Sequence, residues 1–153
     1  MLYGLALIAG IVAGSRTLIA PAAVSWAARL GFLNLDGSWL AFMGYAWTPW
    51  IFTALAIVEL VADQLPSTPS RKVPPQFGAR IVSGALCGAT IGASGGSWIG
   101  GLVAGVIGAV VGTYGGAEVR ARMAKAFGRD LPAALIEDAG AIVLGLIVVW
   151  GLA

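Results

Sequence analysis

The sequence predicts an all-α, polytopic membrane protein, a single integral membrane domain over residues 1–153 with about five transmembrane helices. Three observations predict it. Hydrophobic residues make up 59% of the chain and charged residues only 10%, against about 25% charged in soluble domains. Mean hydropathy is +0.91. Apolar runs of roughly 20 residues recur along the chain, the length that crosses a hydrocarbon core of about 30 Å.

The first span covers residues 2–29, in which the apolar runs Leu2 to Ala13 and Leu18 to Ala28 flank Arg16. A secretory signal would begin with a basic segment, and Met1-Leu2-Tyr3 has none, so the span is expected to be retained. The turn-forming GFLNLDGS leads to a second span, 39–63. The proline-punctuated QLPSTPSRKVPPQ precedes a third span, 79–96, and a tight GGS turn joins it to a fourth, 98–118. VRARMAKAFGRD is expected to be the last connection, with Asp130 as N-cap ahead of Pro132 and a fifth span over 131–152.

Seven of the nine Lys and Arg residues, Arg71, Lys72, Arg80, Arg120, Arg122, Lys125 and Arg129, fall in the connections 64–80 and 119–130. The positive-inside rule makes that side cytoplasmic, with the N-terminus inside and the C-terminus outside a bacterial inner membrane. Trp26, Trp39, Trp98 and Trp150 then collect at the outer boundary, as interfacial tryptophans should, while Trp47 and Trp50 lie deeper in the second span as packing or lipid-facing residues. Spans one and two run opposite to spans four and five, with span three between them. That is the pattern of two inverted helical hairpins joined by a central helix.

Spans three and four carry glycine at helical spacing: Gly84, Gly88 and Gly92, then Gly101, Gly105, Gly108, Gly112 and Gly116. Lipid tails give helices no hydrophobic reason to associate, so close approach across small residues supplies van der Waals contact instead. The seam is expected between helices of one chain, with a homodimer seam or a pore lining as the alternatives.

Ionisable groups within spans are costly and are therefore candidate functional residues. Arg16 falls near the middle of span one, too deep to reach water along its own side chain. Glu59 and Glu137 each lie roughly 9 Å inside the cytoplasmic boundary at 1.5 Å per residue, which makes them the nearest candidate partners. Asp63 follows Glu59 at i+4, Asp138 adjoins Glu137, and Glu118 approaches from the end of span four. Gly14, Ser15 and Pro21 are positions at which a membrane helix can unwind. The sequence is compatible with a continuous first helix and with one broken at Gly14-Ser15.

The chain contains no histidine, which removes histidine catalysis and histidine metal sites, and its single Cys87 removes an internal disulfide. No metal or cofactor is expected. The basic residues are sorted between two connections without forming a stripe, so nucleic acid is not an expected partner. The expected partners are the lipid bilayer, a small ion or polar solute, and a second copy of the chain.

GSRTLIAPAAVSW, ELVADQLPSTPSRKVPPQFGARIVSGALCG and GRDLPAALIEDAGAIVLG together resemble an uncharacterised bacterial integral-membrane family, known as domain of unknown function 4126. The resemblance spans nearly the whole chain. It implies a small polytopic membrane protein and brings no activity or catalytic residue with it.

Three function classes follow. The first is a transporter or channel for a small ion or polar solute, with Arg16, Ser15, Glu59, Asp63, Glu118, Glu137 and Asp138 around a polar cavity. The second is a non-catalytic scaffold or lipid-interacting protein whose buried charges are structural salt bridges, with Arg71, Lys72, Arg80, Arg120 and Arg122 as its basic cytoplasmic side. The third, an enzyme using carboxylate-held Mg²⁺ on a lipid phosphate, has only the Glu59 and Asp63 pair in its favour, so a non-enzyme is expected.

Overall fold

A computed structural model describes residues 1–62 and 74–153, apart from the side chain of residue 130. The described residues form six α-helices, one 3₁₀ turn and no strand. The helices are α1 (Leu2–Ser15), α2 (Ile19–Arg29), α3 (Thr48–Ala62), α4 (Pro74–Ser94), α5 (Trp98–Phe127) and α6 (Asp130–Leu152), with the 3₁₀ turn at Ala41–Gly44. Two of them, over Trp98–Phe127 and Leu131–Leu152, are long and apolar enough to cross a membrane, where the sequence led us to expect about five.

The largest departure from expectation is at residues 2–29: of the two forms left open, the helix is broken, α1 ending at Ser15, but the chain then reverses where a crossing span was expected. α1 runs antiparallel to α6: Leu5 faces Gly151 near one end, and Arg16 reaches Asp138 at the other. Beyond Arg16 the chain turns back, because Ile19 and Ala23 of α2 face Gly145, further up α6 in the direction from which α1 came. α1 and α2 are thus a helical hairpin with its tip at Arg16-Thr17-Leu18. The N-terminus consequently shares an end of the molecule with the C-terminus, contrary to the expected placement on opposite sides.

That shared end gathers the tryptophans. Trp26 packs edge-on against Trp50 with ring centroids 5.0 Å apart, and Trp39 packs against Trp98 at 5.7 Å. Trp47 lies beside Trp26, and Trp150 adjoins Gly151. All six tryptophans of the chain are therefore at one end. Trp47 and Trp50 are at the start of α3, not deep within a span. The reason is Pro49, which is tolerated in a first turn but would clash with the preceding turn of a helix continued from residue 39. Residues 39–47 instead form the 3₁₀ turn and a cap that buries Leu40 and Met43.

α5 is the central strut, sandwiched between α1 and α4. A Cβ at Gly88 would strike the Gly101 carbonyl, one at Gly105 the Gly84 carbonyl, and one at Gly92 the Ser97 carbonyl. On the other flank, Gly108 and Gly112 meet the Leu7 and Ile11 carbonyls of α1, and Gly10 meets that of Gly105. The seam runs through three helices of one chain, α1 included.

Three boundaries also move. α4 begins at Pro74, within the connection expected to precede a span starting at residue 79, since proline is tolerated in a first turn. α5 continues to Phe127 through the stretch expected to be a loop, because AEVRARMAKAF contains good helix formers; it ends at Gly128, whose φ of 71° is left-handed. α6 begins at Asp130 with Arg129 in the N-cap position, so Asp130 is the first helical residue and not the cap.

Candidate functional site

The tip of the α1–α2 hairpin breaks a helical hydrogen-bond ladder, and five of the freed groups, the amides of Thr17 and Leu18 and the carbonyls of Gly14, Ser15 and Thr17, have new partners. Arg16 is the last residue held in α1, its N–H donating to the Val12 carbonyl at 2.7 Å, and its backbone is extended at φ −137°, ψ 112°. Thr17 and Leu18 would have donated to Ala13 and Gly14 in a continued helix. Both amides instead donate to one carboxylate, that of Glu59 on α3: Thr17 N to Oε1 and Leu18 N to Oε2, each at 2.7 Å. A negative charge at the first turn of α2 is also favoured by the helix dipole.

Two of the freed carbonyls are met from α4. Arg80 Nη1 donates to the Gly14 carbonyl at 2.9 Å. Pro21 has no N–H, so the Thr17 carbonyl lacks the donor four residues on; Ser83 Oγ supplies it at 2.5 Å. Arg80 and Ser83 are one turn apart on α4, which places both on the face turned to the hairpin.

Arg16 itself is fully buried. Its Nε donates to Asp138 Oδ1 at 2.5 Å, its Nη2 forms an ion pair with the same oxygen and lies 3.5 Å from Glu137 Oε2, and its Nη1 donates to the Ser15 carbonyl at 3.1 Å. Glu137 is shared, because Arg120 Nη1 from α5 lies 3.4 Å from the same Oε2. A guanidinium with no access to water requires such an arrangement, since an unpaired buried charge would cost several kcal/mol.

The expected site residues therefore divide. Arg16, Ser15, Glu59, Glu137 and Asp138 come together at the tip. Glu59, expected as a partner of Arg16, binds backbone amides instead, and Asp138 takes the guanidinium. Arg80 is buried and joins the tip, and Arg120 is mostly buried and does likewise, so neither is a loop cation meeting solvent. Glu118 is outside the cluster: its side chain is 61% exposed and pairs with Arg122, one turn along α5, at 2.9 Å. Asp63, Arg71 and Lys72 lie outside the described residues. Ser83 and the amides of Thr17 and Leu18 were not anticipated; Pro21 was the available signal, since it deprives a known carbonyl of its donor.

Among the described residues no group of three or more His, Cys, Asp or Glu side chains is placed to hold a metal ion. Chemically, the tip is a junction of three arginines and three carboxylates around unwound backbone. It is suited to holding or exchanging charge. No family model matches the chain, and no curated protein or solved structure does so either.

Proposed function

We propose that the chain is a multi-pass protein of the bacterial inner membrane, of the uncharacterised family its motifs resemble, and that it passes a small ion or polar solute under control of the α1–α2 tip. In this reading α3 to α6 cross the bilayer and α1–α2 enters as a re-entrant hairpin from the tryptophan side. Arg122, Lys125 and Arg129 mark the opposite, cytoplasmic side, so both termini are outside. α3, about 22 Å long at 1.5 Å per residue, is completed by the 3₁₀ segment before it. The hairpins α2–α3 and α5–α6 turn at opposite ends with α4 between them, which retains the inverted relation for those two pairs.

The observation that carries the reading is the hairpin tip, where Glu59 and Arg80 hold the broken backbone and Asp138 holds Arg16. Non-helical backbone at membrane depth is tolerated only where protein buries it or a polar cavity meets it, and such breaks are where transported ions and solutes bind. A solute at this junction competes with Glu59 for amides or with Asp138 for the guanidinium. Proteoliposomes tested with a panel of small ions and neutral solutes should show flux above protein-free vesicles. Glu59→Gln, which is isosteric, and Arg16→Ala should both reduce it; unchanged flux in both variants, or none for the wild type, overturns the reading.

A second reading, a non-catalytic scaffold, is favoured by the pairing of Arg16 with Asp138 inside the protein. It requires that removing both partners cost less stability than removing either alone, with no flux to lose.

A further inference from the structure

The tryptophan end holds a groove of about 510 Å³ lined by Trp26, Arg29, Leu30, Ala46, Trp47 and Trp50. It lies where α2 ends and α3 begins, far from the hairpin tip. Among the described residues Arg29 supplies its only charge. Among the described residues every other arginine and lysine is at the tip or beyond it.

Arg29 is not employed by its own helix. A cation in a last turn often caps free carbonyls, but α2 ends in a closed motif: Phe32 N donates to the Ala27 carbonyl at 2.9 Å and Gly31 N to that of Ala28 at 3.2 Å, with Gly31 left-handed at φ 86°. Among the described residues no carboxylate lines the groove, and the Arg29 side chain makes no hydrogen bond or ion pair with any of them. The aromatic walls are fixed in part by Trp26, whose indole N–H donates to Thr53 Oγ1 at 2.9 Å while its ring meets Trp50. Trp47 and Trp50 are 76% and 60% exposed, with apolar faces open to an occupant.

We propose that this groove binds the headgroup of an anionic phospholipid of the outer leaflet, with the phosphodiester on Arg29 and the glycerol and upper acyl carbons against Trp47 and Trp50. Charge decides the class. A guanidinium presents paired donors to a phosphate, and with no acid in the groove a net charge of −1 is complementary. A zwitterionic lipid would bring an ammonium with no carboxylate to receive it. Tryptophan rings at headgroup level are the ordinary means of holding the apolar part.

The proposal rests on the membrane placement above but not on transport. The test uses the full chain in detergent, with phosphatidylglycerol and phosphatidylcholine in equal amounts and retained lipid counted by native mass spectrometry. The wild type should retain phosphatidylglycerol in preference. Arg29→Gln, at an exposed position that leaves the core intact, should cut that preference about fivefold or more, the scale of a charge-assisted hydrogen bond. Arg29→Lys should restore part of it, and Trp47→Ala should weaken both lipids together. Free phosphate or glycerol 3-phosphate displacing the lipid at equal concentration would identify a soluble-phosphate site and overturn the proposal. An unchanged lipid ratio in Arg29→Gln would also overturn it. A chain found in the soluble fraction without detergent would end this proposal and the membrane reading together, whereas an unchanged ratio ends this one alone.

Discussion

The glycine seam and the hairpin tip are adjoining parts of α1 built on opposite principles. Along the seam, from Leu7 to Gly14, the backbone of α1 is satisfied within its own helix as far as the Val12 carbonyl, and its neighbours need only the absence of a side chain. At the tip, from Gly14 to Leu18, backbone groups have lost their helical partners and require charged or hydroxyl side chains from α3 and α4. Gly14 belongs to both, with its Cα packed against Ala109 and Gly112 and its carbonyl held by Arg80. Volume alone decides the seam. Pairing decides the tip. The seam should therefore fail when anything is added, and the tip when one partner is taken away.

The largest effect is expected in the seam. Gly105→Leu drives a side chain into the Gly84 carbonyl and the neighbouring backbone of Gly88, and backbone atoms cannot move aside as flexible side chains do. It should cost more than about 3 kcal/mol, the upper part of the overpacking range. Gly115→Leu, on the same helix but with open space at its Cβ, should be tolerated. Unfolding in detergent, followed by circular dichroism, separates the two; equal stability of both variants would remove the seam as an explanation of the fold.

At the tip the expected cost is nearly as large and its pattern differs. Arg16→Ala or Asp138→Ala alone leaves the other charge buried, at about 3–5 kcal/mol. The double variant should be more stable than either single one. An additive double variant would mean that Arg16 and Asp138 are not coupled, and would sharpen the contrast in the opposite direction. The same cycle made with Glu59 in place of Asp138 should be close to additive, since Glu59 serves the amides of Thr17 and Leu18 and not the guanidinium.

The seam was more legible in the sequence than the tip, for a physical reason. Small residues at intervals of three and four mark one face of a helix wherever it packs, so Gly84 to Gly112 announced close approach before any partner was known. Depth along a helix is similarly readable, which is why Glu59 and Glu137 were expected at one level and as the nearest partners of Arg16. Rotation about the axis is not, and rotation turned Asp138 to the guanidinium and Glu59 to the backbone. The reversal of the chain at Arg16 was illegible for a related reason. Leu2 to Ala28 is apolar on both sides of the arginine, so hydropathy joins two short helices into one apparent span. Trp26 satisfied the expected boundary equally well by either route, because both a crossing helix and a returning one end at an interface.

The smallest effect tests the local cause of the break. If Pro21 leaves the Thr17 carbonyl without a donor, then Ser83 is needed because of Pro21. Ser83→Ala in the wild type should destabilise by about 1 kcal/mol, the net worth of one hydrogen bond. In a Pro21→Ala background an amide is available at position 21, one residue before the Ala22 N–H that already donates to Leu18 at 3.1 Å. Ser83→Ala should then cost distinctly less. Pro21→Ala alone should leave the hairpin closed, because Glu59 still occupies the two amides at its tip. A Ser83→Ala penalty of the same size in both backgrounds would show that Ser83 serves packing between α4 and the hairpin and not the carbonyl that proline leaves open.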